Sequence, residues 1–406
     1  MKKLLVVLLA VLVVLSFAKT KLVFWSFMID DKLWQDIYTE FQKEYPDIEV
    51  EFTQLSWSNG FDKIVTSIAA GNAPDLVELG NTWVAQFAND GAIYALTDDE
   101  EKKFKDYVGF NTTEYKGKHY GYIWLVGTRA MYYNVDLFLK AGLDPSNPPK
   151  TWSEVLEAAK KISALGDYIY GFGLPAGEHY SPWQQWFLSA VWGNGGKVVC
   201  GENYDKSCFD SEAVVEAAKF YQELSKYAMM TKQADIEKAF GEGKVGMYVG
   251  GQWLIGTFNT SYPDLNYWLA LVPKPDKGGF HASFAGGEVL AITKQTKSYE
   301  AAKKLASFLL RSDIAMKITK YYSGVVYPSD PEAMNDSWFE ENPIHMIFFE
   351  QAKYAVPTPP TPAWPKIEGY ICDFVEKLII DKQDPENLVK EYSQKIQEAL
   401  DEAAKK

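Results

Sequence analysis

Residues 21–52 read KLVFWSFMIDDKLWQDIYTEFQKEYPDIEVEF and predict a strand, a helix and a second strand. Residues 21–25 form an apolar, strand-like run. Asp30 or Asp31 then caps a helix that stops before Pro46, and its apolar residues recur on one face at Leu33, Trp34, Ile37, Tyr38 and Phe41. Ile48, Val50 and Phe52 alternate with glutamates, as in a half-buried strand. This segment is therefore a β-α-β unit.

The alternation of strands and helices continues beyond this unit. A helix is predicted over residues 61–70, a strand over 73–79 and a further helix over 82–89. Such a pattern is typical of a mostly parallel sheet with helices on both faces. Because these sheets place ligands at the carboxyl ends of their strands, we expect a site at the loops after Trp25 and Leu79.

A second α/β block begins beyond Asn134. The residues Thr151-Trp152-Ser153-Glu154 form a capping box that opens a helix reaching about Ile162. Later helices are predicted over residues 211–227, 235–240, 299–310 and 386–403, and strands over 245–249 and 289–293. The proline-rich residues 356–365 exclude a helix or a central strand and predict an ordered loop or a lobe connection.

The first 18 residues have the layout of a secretion signal. Lys2 and Lys3 precede an apolar run over residues 4–15, and small side chains at Ser16 and Ala18 fit cleavage after Ala18. The cleavage site carries no cysteine for lipid attachment, and no later apolar run reaches the roughly 18 residues of a membrane helix. We expect a soluble periplasmic or extracellular protein that begins at Lys19.

The charge balance argues against nucleic acid as a partner. The chain has 41 basic and 54 acidic residues. Removal of Lys2 and Lys3 leaves 39 basic residues, so the expected mature chain has a formal charge of −15. An acidic chain without a basic segment repels polyanions and anionic lipids. The length of 406 residues predicts about two domains, each with its own core.

Cysteines and histidines indicate a disulfide more than a metal site. Cys200 and Cys208 flank a polar loop in a chain expected to reach an oxidising compartment, so they could equally be bonded to each other or free. The histidines lack ligand spacing, and they lie at positions 119, 179, 281 and 345. Neither a phosphate-binding P-loop nor a dinucleotide fingerprint is present. We expect neither a metal nor a cofactor.

The sequence resembles the maltose-binding-protein class (family 1) of extracellular solute-binding proteins that serve ABC sugar importers. The similarity covers nearly the whole expected mature chain, and its landmarks are LVFW at 22–25, FQKEYP at 41–46, AAGNAPDL at 69–76, YKGK at 115–118, TRAMYYN at 128–134, PKTW at 149–152, FGEGKVGM at 240–247 and GG at 286–287. The resemblance implies binding of a neutral di- or oligosaccharide, hinge closure, and delivery to the membrane subunits of an importer. We expect a monomer.

The implied fold belongs to the α/β class. It is the type II two-lobe periplasmic-binding-protein fold, in which each lobe is a mainly parallel sheet flanked by helices and the ligand lies between the lobes. The resemblance also implies that the chain crosses between lobes near residues 126, 273 and 327. The N-lobe would combine residues 19–126 with 273–327, and the C-lobe would combine residues 127–272 with 328–406.

The expected binding residues pair aromatic rings with polar groups, because a sugar stacks its C–H faces on rings and needs partners for its hydroxyls. In the N-lobe the candidates are Asp30, Asn81, Trp83, Gly286, Gly287 and Glu288. In the C-lobe and at the crossover they are Arg129, Tyr180, Trp183, Trp253 and Trp364. Asp30 could equally be only a helix cap, and Arg129 could equally anchor the lobe connection by an ion pair. Any single tryptophan could instead be core.

Two other classes of function remain open. An exported carbohydrate-active enzyme would also have an aromatic cleft with carboxylates, but it needs two carboxylates held across the scissile bond. A protein with the same fold could bind a peptide, a polyamine or a metal instead of a sugar. The isolated histidines disfavour a metal, and the ligand loops lack the acidic set that a polyamine would require.

Overall fold

The β-α-β unit predicted from residues 21–52 is present. The computed structural model describes residues 19–405, so the predicted signal peptide lies outside the described residues. The strands Thr20–Ser26 and Ile48–Gln54 pair in parallel and flank the helix Asp31–Glu44. The Asp30 side chain accepts a hydrogen bond from the Leu33 amide at 2.7 Å and so caps this helix, as the sequence predicts.

The first sheet has six strands and is mixed. In spatial order it contains Tyr327–Pro328, Tyr122–Gly127, Gly286–Ile292, Leu76–Gly80, Thr20–Ser26 and Ile48–Gln54. The last three strands are parallel, as expected for β-α-β units. The strand Gly286–Ile292 is antiparallel to both of its neighbours, because it enters from the other lobe and not through a crossover helix.

The second sheet has five strands and is also mixed. In spatial order it contains Ala228–Thr231, Tyr170–Pro175, Val245–Gly251, Arg129–Asn134 and Tyr267–Ala270. The first three strands are parallel, and Arg129–Asn134 is antiparallel to its two neighbours. Two α/β lobes therefore meet along a seam, each with its own sheet.

Helices cover both sheets. In chain order they are Asp31–Glu44, Gly60–Ala69, Val84–Asn89, Asp98–Phe104, Val135–Lys140, Trp152–Ser163, Leu188–Gly193, Glu212–Leu224, Gln233–Gly241, Trp253–Ser261, Tyr299–Leu309, Ser312–Tyr321, Trp338–Glu341, Met346–Ala352, Trp364–Ile379 and Pro385–Ala404. The predicted capping box of Thr151 and Glu154 is confirmed. Within residues 19–405, no helix has both the length and the apolar character needed to cross a bilayer.

The prediction that residues 356–365 contain no helix is wrong at its end. Helix Trp364–Ile379 begins inside the segment, with Pro365 in its first turn. A proline is tolerated there because the first amides of a helix have no intrahelical acceptor. Trp364 is therefore held by a rigid helix and not by a loop.

Two connections between the sheets, and the segment that leads from the first sheet to helix Trp364–Ile379, lie side by side. Thr128 joins strand Tyr122–Gly127 of the first sheet to strand Arg129–Asn134 of the second. The Ser283 hydroxyl accepts hydrogen bonds from the Thr128 hydroxyl at 2.7 Å and the Arg129 amide at 3.0 Å. Strand Ser283–Phe284 in turn pairs in parallel with Ala355–Val356. These contacts tie the connections into one narrow strip along the seam.

A small hairpin carries the cysteine pair. Cys200 and Cys208 are bonded to each other, with Cα atoms 5.9 Å apart. The bond closes the loop between the short strands Val199–Cys200 and Lys206–Ser207. Cys372 is unpaired and buried in helix Trp364–Ile379.

Candidate functional site

The predicted binding residues lie on both sides of the seam between the lobes. Trp83 of the N-lobe and Tyr180 of the C-lobe come from segments almost a hundred residues apart, yet their ring centroids are 6.3 Å apart. The lobes are thus in contact in this conformation. Two open surface cavities lie away from the seam: one of about 480 Å³ beside Trp268 and one of about 430 Å³ beside Trp25.

On the N-lobe side, aromatic rings cluster at the ends of two strands. Trp83 is 2% exposed, and its ring lies 5.0 Å from that of Phe61 and 5.7 Å from that of Trp57. Trp57 is 40% exposed and stacks on Phe27 at 4.1 Å. We did not predict Trp57 as a site residue, although its place directly after strand Ile48–Gln54 was the available signal.

The other N-lobe candidates are mostly engaged by protein atoms. The Asn81 amide donates to the Ala285 carbonyl at 2.9 Å. The Asp30 carboxylate caps its helix and accepts from the Tyr321 hydroxyl at 3.2 Å. A Cβ on Gly287 would lie 2.8 Å from the Ile123 Cδ1 atom and 3.2 Å from the Leu125 carbonyl oxygen, so the neighbouring strand leaves little room for a side chain there. Gly286 is similarly close-packed against Phe284.

Arg129 lies at the centre of the seam. It is 7% exposed, and its guanidinium is 4.8 Å from the Trp253 ring and 5.3 Å from the Phe284 ring. It donates to the Gln184 amide oxygen at 3.2 Å and to the Thr128 carbonyl at 3.3 Å, while its Nε has no partner. Burial lowers the pKa of Arg129 to about 10, so the side chain stays charged at neutral pH.

Carboxylates from both lobes surround this arginine. Glu237 accepts hydrogen bonds from the Trp253 indole N–H at 3.1 Å and from the side-chain amide of Gln233 at 2.7 Å. Burial raises the pKa of Glu237 to about 7, and the Arg129 charge opposes this rise. Glu288 keeps partial solvent exposure, but burial of its carboxyl and the neighbouring Glu78 raise its pKa to about 8. Glu237 was not predicted as a site residue, since a helical glutamate ordinarily indicates a solvated face.

Glu78 is fully buried beneath the first strand-to-helix loop. One carboxylate oxygen accepts from the Ser26 hydroxyl and from the amides of Phe27, at 2.9 Å, and Met28, at 3.2 Å. The other oxygen has no partner. Burial raises the pKa of Glu78 to about 7 in spite of these hydrogen bonds. Glu78 therefore holds the shape of the loop that leads to Asp30.

On the C-lobe side, Tyr180 projects from a strained turn. Its φ of 73° is in the left-handed region, which a tyrosine rarely adopts. Glu178 stabilises the turn by accepting hydrogen bonds from the Ser181 hydroxyl and from the backbone N–H of Gln233, the latter at 2.7 Å. Strain of this kind persists only where the surrounding contacts enforce it. Here those contacts direct the Tyr180 ring across the seam toward Trp83.

Trp183 and Trp364 are packed more deeply than a surface platform would be. Both are fully buried, and their rings meet edge to face at 5.7 Å. Trp183 also contacts Phe284 at 5.2 Å, which links this group to the rings around Arg129. The buried carboxyl of Glu368 lies near the indole N–H groups of Trp83 and Trp364. We had not predicted Glu368 as a site residue.

Many buried polar atoms along the seam have no hydrogen-bond partner. They include donors and acceptors: Trp83 Nε1, Arg129 Nε, Trp183 Nε1, Trp364 Nε1, Glu78 Oε1, Gln185 Oε1, Gln252 Oε1 and Glu368 Oε2. Buried polar groups are normally paired with protein or water, and a ligand that carries donors and acceptors would also satisfy this set. Among residues 19–405, no cluster of three or more His, Cys, Asp or Glu side chains is arranged to hold a metal ion.

Comparisons with known proteins agree on one family. The sequence pattern described as bacterial extracellular solute-binding protein matches residues 27–316. A putative binding protein of Brucella abortus is 27% identical over 378 residues, which cover 90% of this chain and 89% of that protein. A maltotriose-binding protein of Pyrococcus abyssi is 25% identical over 390 residues, which cover 93% of this chain and 82% of that protein.

A solved structure is similar over almost the same length. It is an ABC transporter solute-binding protein from Thermotoga lettingae bound with α-D-tagatose. It superposes with a TM-score of 0.81 at 30% identity, covering 94% of this chain and all of the solved chain. The two-lobe α/β fold expected from the sequence is therefore confirmed. The chain belongs to the family of bacterial extracellular solute-binding proteins.

Proposed function

We propose that this protein binds a sugar, a neutral di- or oligosaccharide, between its two lobes and delivers it to an ABC importer. The observation that carries the proposal is the set of unpaired donors and acceptors buried among aromatic rings at the seam. A hydroxyl both donates and accepts, so a sugar can pair with either kind of group. The names of the relatives, which refer to maltotriose and tagatose, support the same class of ligand.

The proposed contacts come from both lobes. Trp253 is the main stacking ring, because Arg129 and Glu237 hold it at the seam. The remaining expected contacts are Asp30, Asn81, Trp83, Gly286, Gly287 and Glu288 in the N-lobe, and Tyr180, Trp183 and Trp364 in the C-lobe. We add Trp57 and Glu237 to this set.

Closure of the lobes would couple binding to recognition. A ligand held by groups from both lobes favours the closed conformation, because only that conformation makes all of its contacts. The proposed hinge is the strip that contains Thr128, Ser283 and Ala355. The resemblance implies lobe boundaries near residues 126, 273 and 327, so the second and third of these lie before the strip in the chain. The membrane subunits of the importer would then recognise the closed arrangement of the two lobe surfaces.

We further propose that the protein is a monomer without catalytic activity that acts outside the cytoplasm. Two of the carboxylates near the seam are held by protein contacts, which supports binding over catalysis. Glu78 is committed to the loop that it holds, and Glu237 to Trp253 and Gln233. Neither is free to attack or protonate a glycosidic bond.

A saccharide panel tests the proposal. Thermal-shift measurements against mono-, di- and oligosaccharides should identify a ligand that raises the melting temperature, because it binds only the folded state. Calorimetry should then give a one-to-one complex, and prolonged incubation should release no new reducing ends. Absence of binding to every saccharide would contradict the proposed ligand class, and release of reducing ends would indicate an enzyme.

A further inference from the structure

A glycine within a C-lobe helix lies directly against a turn of the N-lobe. Gly256 is the fourth residue of helix Trp253–Ser261, which follows the central strand of the second sheet. A Cβ at Gly256 would lie 3.0 Å from the Tyr322 carbonyl oxygen and 3.3 Å from the Ser323 Cβ. Tyr322 and Ser323, which we call the stop turn, lead into strand Tyr327–Pro328 of the first sheet. The two lobes thus meet here without a side chain at position 256.

The helix on the C-lobe side of this contact is firmly held. Leu254, Ile255 and Phe258 are all buried in the core, so the helix cannot easily turn about its axis. Glycine destabilises the interior of a helix relative to alanine, because it has more backbone freedom to lose on folding. The close approach of the stop turn, and not the helix itself, therefore explains a glycine at position 256.

The stop turn is also fixed in place. The Ser323 N–H donates to the Lys320 carbonyl at 3.2 Å, and the Gly324 N–H donates to the Thr319 carbonyl at 2.7 Å. Ser323 has a φ of 52°, in the left-handed region that commonly ends a helix. The turn is thus bound to the end of its own helix, and it cannot retreat from a side chain at position 256 without moving that helix.

This contact connects two of the expected sugar-binding groups. Trp253 lies three residues before Gly256, so both residues are on the same side of one helix. On the other side of the seam, the Tyr322 hydroxyl accepts a hydrogen bond from the Asp30 backbone N–H at 3.0 Å. The closest approach of Gly256 to the stop turn therefore limits how near Trp253 and Asp30 can come to each other.

We propose that Gly256 is a positioning residue for the saccharide, because its lack of a side chain lets helix Trp253–Ser261 reach the stop turn when the lobes close. This inference rests on the proposed function, since it concerns closure around the bound sugar. A side chain at position 256 holds the lobes apart, so the ligand cannot make its contacts with both of them at once. The affinity for every saccharide falls, while each lobe keeps its own packing.

Gly256→Val tests this proposal, because a β-branched side chain is stiff and cannot easily turn away from the stop turn. We expect it to weaken the binding of any saccharide that the unmodified protein binds by about tenfold or more in calorimetry. The free energy of unfolding without ligand should not fall, since valine is a better helix former than glycine. Gly369→Val, on helix Trp364–Ile379, is the matched control and should keep the affinity, because a Cβ there meets no other described part of the chain within 4 Å.

A pair of cysteines tests the contact without any sugar. In a protein with Gly256→Cys and Ser323→Cys, the two Cβ atoms would be 3.3 Å apart in the closed arrangement, close to the separation that a disulfide spans. Oxidation should crosslink the ligand-free protein and reduce its radius of gyration in small-angle X-ray scattering. Cys200 and Cys208 are already bonded to each other, and Cys372 is buried, so the new pair is the one that should react.

The outcomes separate the two proposals. If Gly256→Val binds a sugar as tightly as the unmodified protein, or if the cysteine pair forms no crosslink, the proposed role of Gly256 is refuted and saccharide binding still stands. If Gly256→Val does not fold, the cysteine pair decides. If no saccharide binds the unmodified protein, the proposed function fails. The crosslink then decides the closing contact alone: contraction of the ligand-free protein supports it, and an unchanged radius of gyration overturns it.

Discussion

Glu78→Gln should change how the stability of the ligand-free protein depends on pH. In the folded chain, burial raises the pKa of Glu78 from 4.5 to about 7. The folded state therefore binds more protons than the unfolded state between pH 4.5 and about 7. Stability contributed by the protonated group is lost as the pH rises through this window. Glutamine cannot ionise, so the variant lacks this contribution to the pH dependence.

The size of the effect follows from the two pKa values. Ionisation of Glu78 costs about 1 kcal/mol of stability at pH 5 and about 3 kcal/mol at pH 8, a difference of about 2–3 kcal/mol. Glutamine can keep an oxygen where Oε2 accepts from Phe27 and Met28, and its amide would replace Oε1, which has no partner. The loop geometry should therefore survive the substitution.

Urea unfolding followed by tryptophan fluorescence at pH 5, 6, 7 and 8 measures this difference. The free energy of unfolding of the unmodified protein should fall more steeply with pH than that of Glu78→Gln, by about 2–3 kcal/mol over the range. Glu288 and Glu237 contribute in the same direction in both proteins, since their pKa values are raised to about 8 and 7. Glu49→Gln, exposed on strand Ile48–Gln54 of the same sheet, is the matched control and should leave the slope unchanged. Parallel profiles for the unmodified protein and Glu78→Gln would refute the reasoning.

Three further changes have defined outcomes. Trp253→Ala should weaken saccharide binding by about 10- to 100-fold in calorimetry, because it removes the stacking ring. Trp268→Ala, on the exposed sheet edge, should leave the affinity unchanged, and equal affinities of the two variants would argue against the site. Arg129→Lys should lower the free energy of unfolding by about 1–3 kcal/mol in urea titrations, since a lysine cannot reproduce the guanidinium's two hydrogen bonds and ring contacts. An unchanged free energy of unfolding would contradict this. Replacement of Cys200 and Cys208 by serine should cost about 2–3 kcal/mol of stability from loop entropy, and an unchanged melting temperature would show that the bond adds nothing.

Local patterns in the sequence predict the secondary structure well. The helix Asp31–Glu44 has both its cap and its apolar face encoded within one segment, and the capping box at Thr151 acts in the same way. These features depend on neighbours three or four residues away, so periodicity is sufficient to find them. Local patterns do not predict the strand directions in the mixed sheets, because Gly286–Ile292 pairs with strands that precede it by some 160 to 210 residues.

The site was only partly predictable for the same reason. Trp253 follows a glycine pair at a strand end, which is a recognisable signal. Glu237 and Glu368 lie within amphipathic helices, where a glutamate ordinarily faces solvent. Their burial arises only when Trp253 packs on Glu237 and when Trp83 of the other lobe approaches Glu368. Such long-range contacts leave no periodic trace in the sequence.

Small-angle X-ray scattering with a saccharide identified by calorimetry tests the central claim most directly. The claim is that one ligand bridges both lobes and holds them together around the strip of Thr128 and Ser283. Saturation with the sugar should reduce the radius of gyration and bring the profile into agreement with the closed arrangement, in which Trp83 contacts Tyr180. Superimposable profiles with and without a sugar that calorimetry shows to bind would contradict it.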